Sequence, residues 1–267
     1  MRVWTVANQK GGVGKTTTTV ALGGLAAEQG KRVLLLDLDP HGSLTSYFRQ
    51  DPDTLELSVF TLFQERKSLT QESVRRLIHS SGTDNLDVLP ASTALATLER
   101  QSMGQEGMGL VLTRALAQIY DDYDLVIMDT PPLLGVLMVN ALAAAQRLVM
   151  PVQTEFLALK GLERMVHTLT MMSKSRRQPL EYTILPVMFD RRTQASVSSL
   201  LTIRNTYPKH VWPGMIPIDT KFRDASKAGQ APHVYEPESR GVEAYRSLYR
   251  WLCQREPQRG APDKVAP

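Results

Sequence analysis

The 267-residue sequence predicts a doubly wound α/β sandwich, in which a mostly parallel sheet carries helices on both faces. Short apolar runs alternate along the chain with longer segments of helical period. Several of these runs contain no polar position, as expected of strands that are buried on both faces. The length and the 42% hydrophobic content suit a single folded domain, which we expect to span residues 1–253.

Seven apolar runs are the predicted strands of this sheet. They lie at residues 2–7, 32–37, 85–90, 124–129, 147–152, 182–188 and 211–217. A helix is predicted from Lys15 to Gly30, and two helices with apolar residues at three- and four-residue spacings are predicted over 107–123 and 156–174. Each of these helices should lay one face on the sheet.

Two segments carry few signs of the sheet. Residues 49–85 are polar, and we expect short helices there, outside the sheet. The tail over residues 254–267 is rich in Pro, Arg and Gly. It has little apolar surface to bury, so it is predicted to be disordered.

Composition excludes several classes of protein. The single cysteine, Cys253, excludes an internal disulfide and a metal site built from several cysteines, which fits a reducing cytosol. No window reaches the ~18 apolar residues of a membrane span, and no signal peptide is recognisable, so we expect a cytoplasmic protein without membrane insertion. The net charge of +4 is mild and leaves an anionic partner open.

The loop before the first predicted helix carries a phosphate-binding pattern. Its sequence, QKGGVGKTTTT at residues 9–19, ends like G-x-x-x-x-G-K-[ST]. In that pattern backbone N–H groups surround phosphates, the lysine reaches the outer phosphates and the hydroxyl binds Mg²⁺. Gly14, Lys15 and Thr16 fit the pattern, whereas Gln9 replaces its first glycine. A strand precedes the loop and a helix follows, so the helix N-terminus also favours an anion there.

Aspartates end two of the predicted strands. Asp129 closes the run LVIMD, and Asp37 and Asp39 follow the run LLL. Carboxyl ends of parallel strands form the ligand-binding edge of such sheets, and a carboxylate there can orient the shell of a bound Mg²⁺. Taken alone, an aspartate at the end of either strand is equally typical of a turn that ends a strand. Together with the loop, they indicate a site.

Four of these stretches, in this order and spacing, resemble the deviant P-loop ATPases of the ParA/MinD superfamily. They are NQKGGVGKTT, LLLDLDPHGS, NLDVLPAS and YDLVIMDTPPLLG. The resemblance extends through MFDRRTQAS and SRGVEAY to about residue 252. It implies an ATPase with ATP and Mg²⁺ as cofactors, whose turnover is slow and stimulated by a partner.

The resemblance also implies roles for individual residues. Lys15 holds the β- and γ-phosphates, Thr16 binds Mg²⁺ and Asp129 orients its water shell. Asp39 positions the attacking water, and Asp37 organises the site. The implied nucleotide contacts in the loop are Lys10, Gly11, Gly12, Val13, Gly14, Lys15, Thr16 and Thr17. Met188 and Pro217 are the implied adenine contacts.

Phosphate binding within one chain requires Lys15 and does not explain a second lysine, Lys10, at the mouth of the loop. In the family the matching lysine reaches across a dimer interface to the nucleotide of the partner subunit. The resemblance therefore implies a homodimer that forms on ATP binding. A cation supplied in this way follows the logic of an arginine finger.

The branches of the family differ in the partner or surface that the ATP-bound dimer binds. MFDRRTQASV followed by IPIDTKFRDASKAG is most similar to the ParA-like proteins, often called ParC, that place chemotaxis arrays at cell poles. That branch implies a cargo adaptor, in this case a chemotaxis coupling protein, a polar landmark, and enrichment at a pole.

A plasmid- or chromosome-partitioning ATPase is one alternative. It would bind DNA without sequence preference through a phosphate-binding patch. The candidate basic residues are Lys174, Arg176, Arg177, Arg191, Arg192, Lys209, Lys221, Arg223 and Lys227. Ile218, however, stands where segregating members commonly have a basic residue, which argues for weaker DNA binding.

A MinD-like regulator of division or flagellar placement would instead use a terminal membrane helix. Tyr245, Leu248, Tyr249 and Leu252 do share one face of the last predicted helix. We expect that face to pack on the core, as in any surface helix of a globular protein. An amidating relative and a nucleotide-locked protein without turnover remain further alternatives, whereas a reductase would need cluster-binding cysteines.

Overall fold

The computed structural model describes residues 1–101, 107–173 and 179–255. Its strands are β1 (Arg2–Val6), β2 (Val33–Asp37), β3 (His79–Thr83), β4 (Leu86–Leu89), β5 (Leu125–Asp129), β6 (Arg147–Gln153) and β7 (Glu181–Val187). Its helices are α1 (Lys15–Glu28), α2 (Ser43–Tyr47), α3 (Val59–Gln64), α4 (Gln71–Arg75), α5 (Leu95–Gln101), α6 (Val111–Gln118), α7 (Val136–Ala144), α8 (Phe156–Ser173), α9 (Gln194–Thr206), α10 (Lys221–Ala228), α11 (Pro232–Tyr235) and α12 (Arg240–Gln254). The tail after residue 255 lies outside the described residues.

The seven strands form one sheet in the order β3-β4-β2-β5-β1-β6-β7. All neighbours are parallel except β3, which runs antiparallel to β4. Val6 and Asp37 are both in register with Asp129, so the ends of β1, β2 and β5 meet at one edge. This topology confirms the predicted doubly wound α/β fold.

Helices cover both faces of the sheet. Because alternate residues of a strand point to opposite faces, Trp4 and Ile127 pack with α1 and α12. Val3 and Met128 pack on the other face, with α3, α6 and α7. Over β6 and β7 that second face is covered by α8 and α9.

The prediction of a strand at 211–217 was wrong. This segment makes only two isolated bridges, Ile184 to Val211 and Phe189 to Pro217. Pro213 and Pro217 lack the N–H groups that a continuous ladder needs. The segment runs alongside β7 as irregular chain, and Ile216 N donates to Pro186 O at 2.8 Å.

The polar segment 49–85 contains the predicted short helices α3 and α4, but it also contains β3, which the sequence did not predict. The residues of β3, HSSGT, alternate between exposed and half-buried. An edge strand of this kind has no apolar run. The helix predicted over 107–123 is also shorter, with a 3₁₀ turn at Met108–Leu110 followed by α6.

The apolar face of α12 is part of the core, as predicted. Tyr245, Leu248, Tyr249 and Leu252 are all buried. The Tyr245 hydroxyl lies 2.8 Å from that of Thr18 on α1, and the buried guanidinium of Arg147 donates to Leu252 O at 2.8 Å. Among the described residues, no helix is both long enough and apolar enough to cross a membrane.

Candidate functional site

The predicted phosphate-binding loop joins β1 to α1. Gly14 occupies the N-cap position of α1 in the left-handed conformation, with φ of 78°, and Gly12 has φ of 71°. Side chains other than glycine rarely adopt these angles, so the bend of the loop depends on both residues. Within the described residues no side chain caps the first turn of α1, which leaves its N–H groups available to an anion. Val13 is buried and fixes the loop to the core.

Lys15 is the first residue of α1 and is only 8% exposed. Its ammonium donates to Lys10 O at 3.3 Å. Burial lowers the pKa of Lys15 from its ordinary value, while the carboxylates of Asp129 and Asp39 act in the opposite direction. A buried cation therefore lies between the loop and the two strand-end aspartates.

Thr16 and Asp129 fit a site for a hard cation. The Thr16 hydroxyl donates to Asp129 Oδ2 at 2.5 Å, and the buried Oδ1 has no hydrogen-bond partner among the described residues. Burial, and after it the charge of Asp37, raises the pKa of Asp129 well above its ordinary value. A carboxylate oxygen without a partner, beside a hydroxyl, is the ligand chemistry that Mg²⁺ prefers. These two residues, predicted from the sequence, would hold the ion.

Asp37 lies beside Asp129 but faces protein donors. Its oxygens accept hydrogen bonds from the backbone N–H and the hydroxyl of Thr45, both at 2.8 Å, and from the backbone N–H of Asp39 at 3.1 Å. Burial raises the pKa of Asp37 to about 6. The Thr45 hydroxyl in turn accepts from Ala91 N at 2.9 Å. Asp37 therefore organises the segment that carries Asp39.

Asp39 lies at the mouth of the site. Its Oδ1 accepts the backbone N–H of His41 at 3.0 Å and lies 2.9 Å from His41 Nδ1. The carboxylate side chain is 14% exposed, whereas the imidazole is 83% exposed. His41 was not among the predicted site residues, although it follows Asp39 by only two positions.

Lys10 makes its contacts within its own chain. Its ammonium donates to Gln153 Oε1 at 2.7 Å and forms an ion pair with Glu155. Gln153 also donates to Gly12 O at 3.3 Å and to Met188 Sδ at 3.1 Å. Gln153 and Glu155, at the carboxyl end of β6, were missed by the sequence reasoning. Their position at the same sheet edge as Asp129 was the available signal.

The segment that follows Asp129 is fixed at both ends. The Thr130 hydroxyl donates to Val6 O at 2.9 Å. At the far end, Glu99 on α5 accepts the backbone N–H groups of Val136 and Leu137, both at 3.1 Å, and so caps α7. A Cβ at Gly135 would lie 1.5 Å from a Glu99 oxygen, so a larger residue there would displace the carboxylate that caps α7.

A cavity of about 570 Å³ lies beside the segments that follow β7 and precede α10. Its lining residues come from the segments after β7 and before α10 and from the start of α12, and they are Phe189, Asp190, Arg191, Arg192, Met215, Pro217, Ile218, Arg240 and Ala244. Its volume is within the ordinary range for small-molecule sites. The cavity includes the predicted adenine contact Pro217.

The other predicted adenine contact, Met188, lies beside the loop and immediately precedes the lining residue Phe189. Its Cε would be 3.9 Å from a Cβ at Gly14, and its backbone is in the left-handed region, with φ of 53°. It is not one of the residues that line the cavity. Arg240 and Ala244 do line it and were not predicted.

Comparisons with known proteins agree with this geometry. Residues 1–182 match a family described as "AAA domain". The chain is 35% identical to the sporulation initiation inhibitor protein Soj of Bacillus subtilis, over 92% of this chain and 96% of that protein. It is 31% identical to the chromosome partitioning protein ParA of Myxococcus xanthus, over 99% of this chain and 92% of that protein.

A solved structure is similar over nearly the whole chain. It is the cobyrinic acid a,c-diamide synthase of Mycobacterium smegmatis with a bound ATP analogue and magnesium. The two chains are 35% identical, with a TM-score of 0.80 and coverage of 95% of each. The chain therefore belongs to the AAA-domain family, within the ParA/MinD superfamily of P-loop ATPases.

Proposed function

We propose that the chain is a partitioning ATPase that binds ATP with Mg²⁺, forms a homodimer in that state and binds DNA without sequence preference. The observation that carries the proposal is the Thr16–Asp129 pair beside the buried Lys15, with one Asp129 oxygen lacking a partner among the described residues. The name of the Myxococcus relative, a chromosome partitioning protein, supports the cellular process.

The loop residues would hold the triphosphate. Backbone N–H groups of Gly11, Gly12, Val13 and Gly14 surround the phosphates, with Lys15 on the outer ones and Thr17 near the α-phosphate. Thr16 and Asp129 would hold Mg²⁺, which would supply positive charge to the phosphates. The adenine would extend past Met188 toward Pro217 and the cavity.

Hydrolysis requires a positioned water, and Asp39 is the proposed residue. One of its oxygens is held by His41, which leaves the other to orient water for attack on the terminal phosphoryl group. The products are ADP and phosphate. Because Asp39 is held by an exposed histidine, a partner protein that contacts His41 would change its position. We infer that turnover is slow until an activator or cargo adaptor binds.

Lys10 is the proposed contact to the nucleotide of the partner subunit. Its side chain is 32% exposed at the mouth of the site. Phe156 and Leu157 begin α8 beside its ion-pair partner Glu155, and they are 72% and 71% exposed. Apolar side chains exposed next to a charged site are typical of protein interfaces. This surface supports a homodimer in which Lys10 crosses to the other chain.

DNA binding is supported by the basic residues near α10. Of the nine candidates, Lys174, Arg176 and Arg177 lie outside the described residues, and the other six are exposed. Arg192 pairs with Asp190, and Lys221 lies 3.5 Å from Glu236. Arg223 and Lys227, four residues apart on α10, share one face and form no ion pair within the described part of the chain.

A test of this proposal measures ATP hydrolysis with and without duplex DNA, together with mobility shifts in ATP and in ADP. We expect slow hydrolysis and DNA binding that requires ATP. The Lys15→Ala variant is the control, since it should lose both. DNA binding that is equal in ATP and ADP would overturn the proposed switch.

Two other functions have specific support. Placement of chemotaxis arrays at a pole stays a prediction from the stretch after β7, since the relatives named above carry no such name. Capture of a chemotaxis coupling protein by the ATP-bound dimer would support it.

Amidation is the activity named for the Mycobacterium smegmatis structure. ATP-dependent amide formation on a corrinoid carboxylate would favour it over partitioning.

A further inference from the structure

The segment that carries Asp39 is attached at its far end to the basic helix α10. Two residues after Thr45, the Tyr47 hydroxyl donates to Gln230 O at 2.8 Å. The guanidinium of Arg49 donates to Lys227 O. Both acceptors are backbone carbonyls at or just after the C-terminal end of α10.

The same segment is fixed to the nucleotide site at its near end. Thr45 donates two hydrogen bonds to Asp37, and Asp37 holds the backbone of Asp39. Thr45 and Tyr47 both lie on α2, which has only five residues. A shift of Asp39 toward bound nucleotide would therefore be transmitted to Tyr47 and Arg49.

The junction with α10 shows signs of local strain. Arg49 has φ of 63°, in the left-handed region that a residue with a side chain rarely adopts. A Cβ at Gly229 would lie 2.8 Å from Arg49 Nε, so the Arg49 side chain packs directly against the backbone of Gly229. Gln50 Oε1 is buried with no hydrogen-bond partner among the described residues. Strained positions of this kind are found at switch regions, where a second arrangement relieves them.

Helix α10 is also linked to the nucleotide site at its other end. Asp219 accepts the backbone N–H groups of Lys221 and Gly241, both at 2.9 Å. Ile218, the residue before it, lines the same cavity as Pro217, where the adenine is proposed to bind. Both ends of α10 are thus connected to elements that would contact ATP.

We propose that Tyr47 and Arg49 couple the nucleotide-sensing segment to α10, so that ATP places Arg223 and Lys227 for contact with DNA phosphates. This inference rests on the proposed function and specifies how it is regulated. The differential contact that a coupling mechanism needs is the pair of hydrogen bonds to Lys227 O and Gln230 O, at one end of the phosphate-binding face.

The test combines two readouts on the full chain. Hydrogen exchange of the α10 amides, measured with ADP and with a non-hydrolysable ATP analogue, reports the link without DNA. Affinity for a random-sequence duplex, measured in the same two states, reports its consequence. Tyr47→Phe removes only the hydroxyl and retains the packed ring, and Arg49→Ala removes the second contact.

In the parent chain we expect α10 exchange to differ between the two nucleotides, and DNA affinity to differ by about 5- to 150-fold, the usual range of coupling between sites. In the Tyr47→Phe/Arg49→Ala variant the exchange difference should disappear and the affinity ratio should fall below about twofold, with nucleotide affinity retained. The matched control Arg223→Ala should bind DNA more weakly while retaining the exchange difference.

The outcomes separate the link from the proposed function. If the parent chain fails to bind DNA but its α10 exchange depends on nucleotide and on Tyr47 and Arg49, the link stands and the DNA role fails. If the double variant retains the parent exchange difference, or if α10 in the parent does not respond to nucleotide, the coupling role of these two residues is overturned.

Discussion

Asp37 and Asp129 lie opposite each other in register on neighbouring parallel strands, and both are buried. Burial raises the pKa of each carboxyl, and the charge of Asp37 raises the pKa of Asp129 further. The fold thus holds two acids together at the edge where it would bind a cation. Only Asp129 has an oxygen free of protein donors among the described residues.

This arrangement predicts how stability depends on pH in the absence of nucleotide. The pKa of Asp37 rises from 3.8 to about 6 on folding, so the native state binds more protons than the unfolded state between these values. The free energy of unfolding should therefore fall as pH rises from ~4 to ~6, by up to about 3 kcal/mol from this group. Urea denaturation at several pH values measures the slope. Asp37→Asn should flatten it, and an unchanged slope would contradict the assignment.

Lys15→Ala should weaken ATP binding strongly, because it removes the buried cation that faces the outer phosphates. Hydrogen bonds to charged groups contribute ~1.5–3 kcal/mol, which corresponds to a loss of about 10- to 150-fold in affinity. Titration calorimetry with ATP and Mg²⁺ measures it. Lys31→Ala removes an exposed lysine outside the loop and should leave the affinity unchanged.

Asp39→Ala should bind ATP and hydrolyse it slowly. Positioned proton acceptors contribute about 10²- to 10⁴-fold in rate, so we expect a loss in that range with ATP affinity retained. Phosphate release under saturating ATP is the measurement. Hydrolysis at the parent rate would remove Asp39 from the mechanism. His41→Ala, which deletes the imidazole that contacts the carboxylate but leaves the backbone N–H in place, should have a smaller effect in the same direction.

Lys10→Ala should retain nucleotide binding by the monomer and abolish ATP-dependent dimers. In the monomer the ammonium is held by Gln153 and Glu155, so no contact to nucleotide in the same chain is needed to explain its position. Light scattering with ATP measures the mass. Lys31→Ala, which removes an exposed lysine outside the loop and α8, is the matched control and should dimerise normally. A Lys10→Ala protein that dimerises like the parent would show that Lys10 is only a surface residue.

The sequence predicted the parts of this site that depend on local patterns. The loop at residues 9–19 is a continuous motif, and Asp129 ends an apolar run, so both could be placed at the sheet edge without knowledge of the fold. The contacts of Gln153, Glu155 and Glu99 join positions far apart in the chain, and no local pattern specifies them. The strand β3 was missed because an edge strand needs little apolar content. A strand was predicted at 211–217 because apolar residues there pack on the core even though prolines interrupt the ladder.

The dependence of DNA affinity on salt concentration tests whether the ATP-bound dimer binds DNA through α10. Each phosphate contact releases counterions and contributes about 0.9 to the slope of log affinity against log salt. Removing Arg223 and Lys227 together should therefore reduce the slope by about 1.8 for each subunit that contacts the duplex, because both are exposed cations on one face of α10. Mobility shifts at several salt concentrations, with Lys31→Ala/Lys67→Ala as a control of equal charge change, measure it. An unchanged slope would place the DNA contact elsewhere on the chain. Flotation of the Asp39→Ala dimer with anionic liposomes would instead favour a MinD-like function, against the burial of Tyr245 and Leu248 in the core.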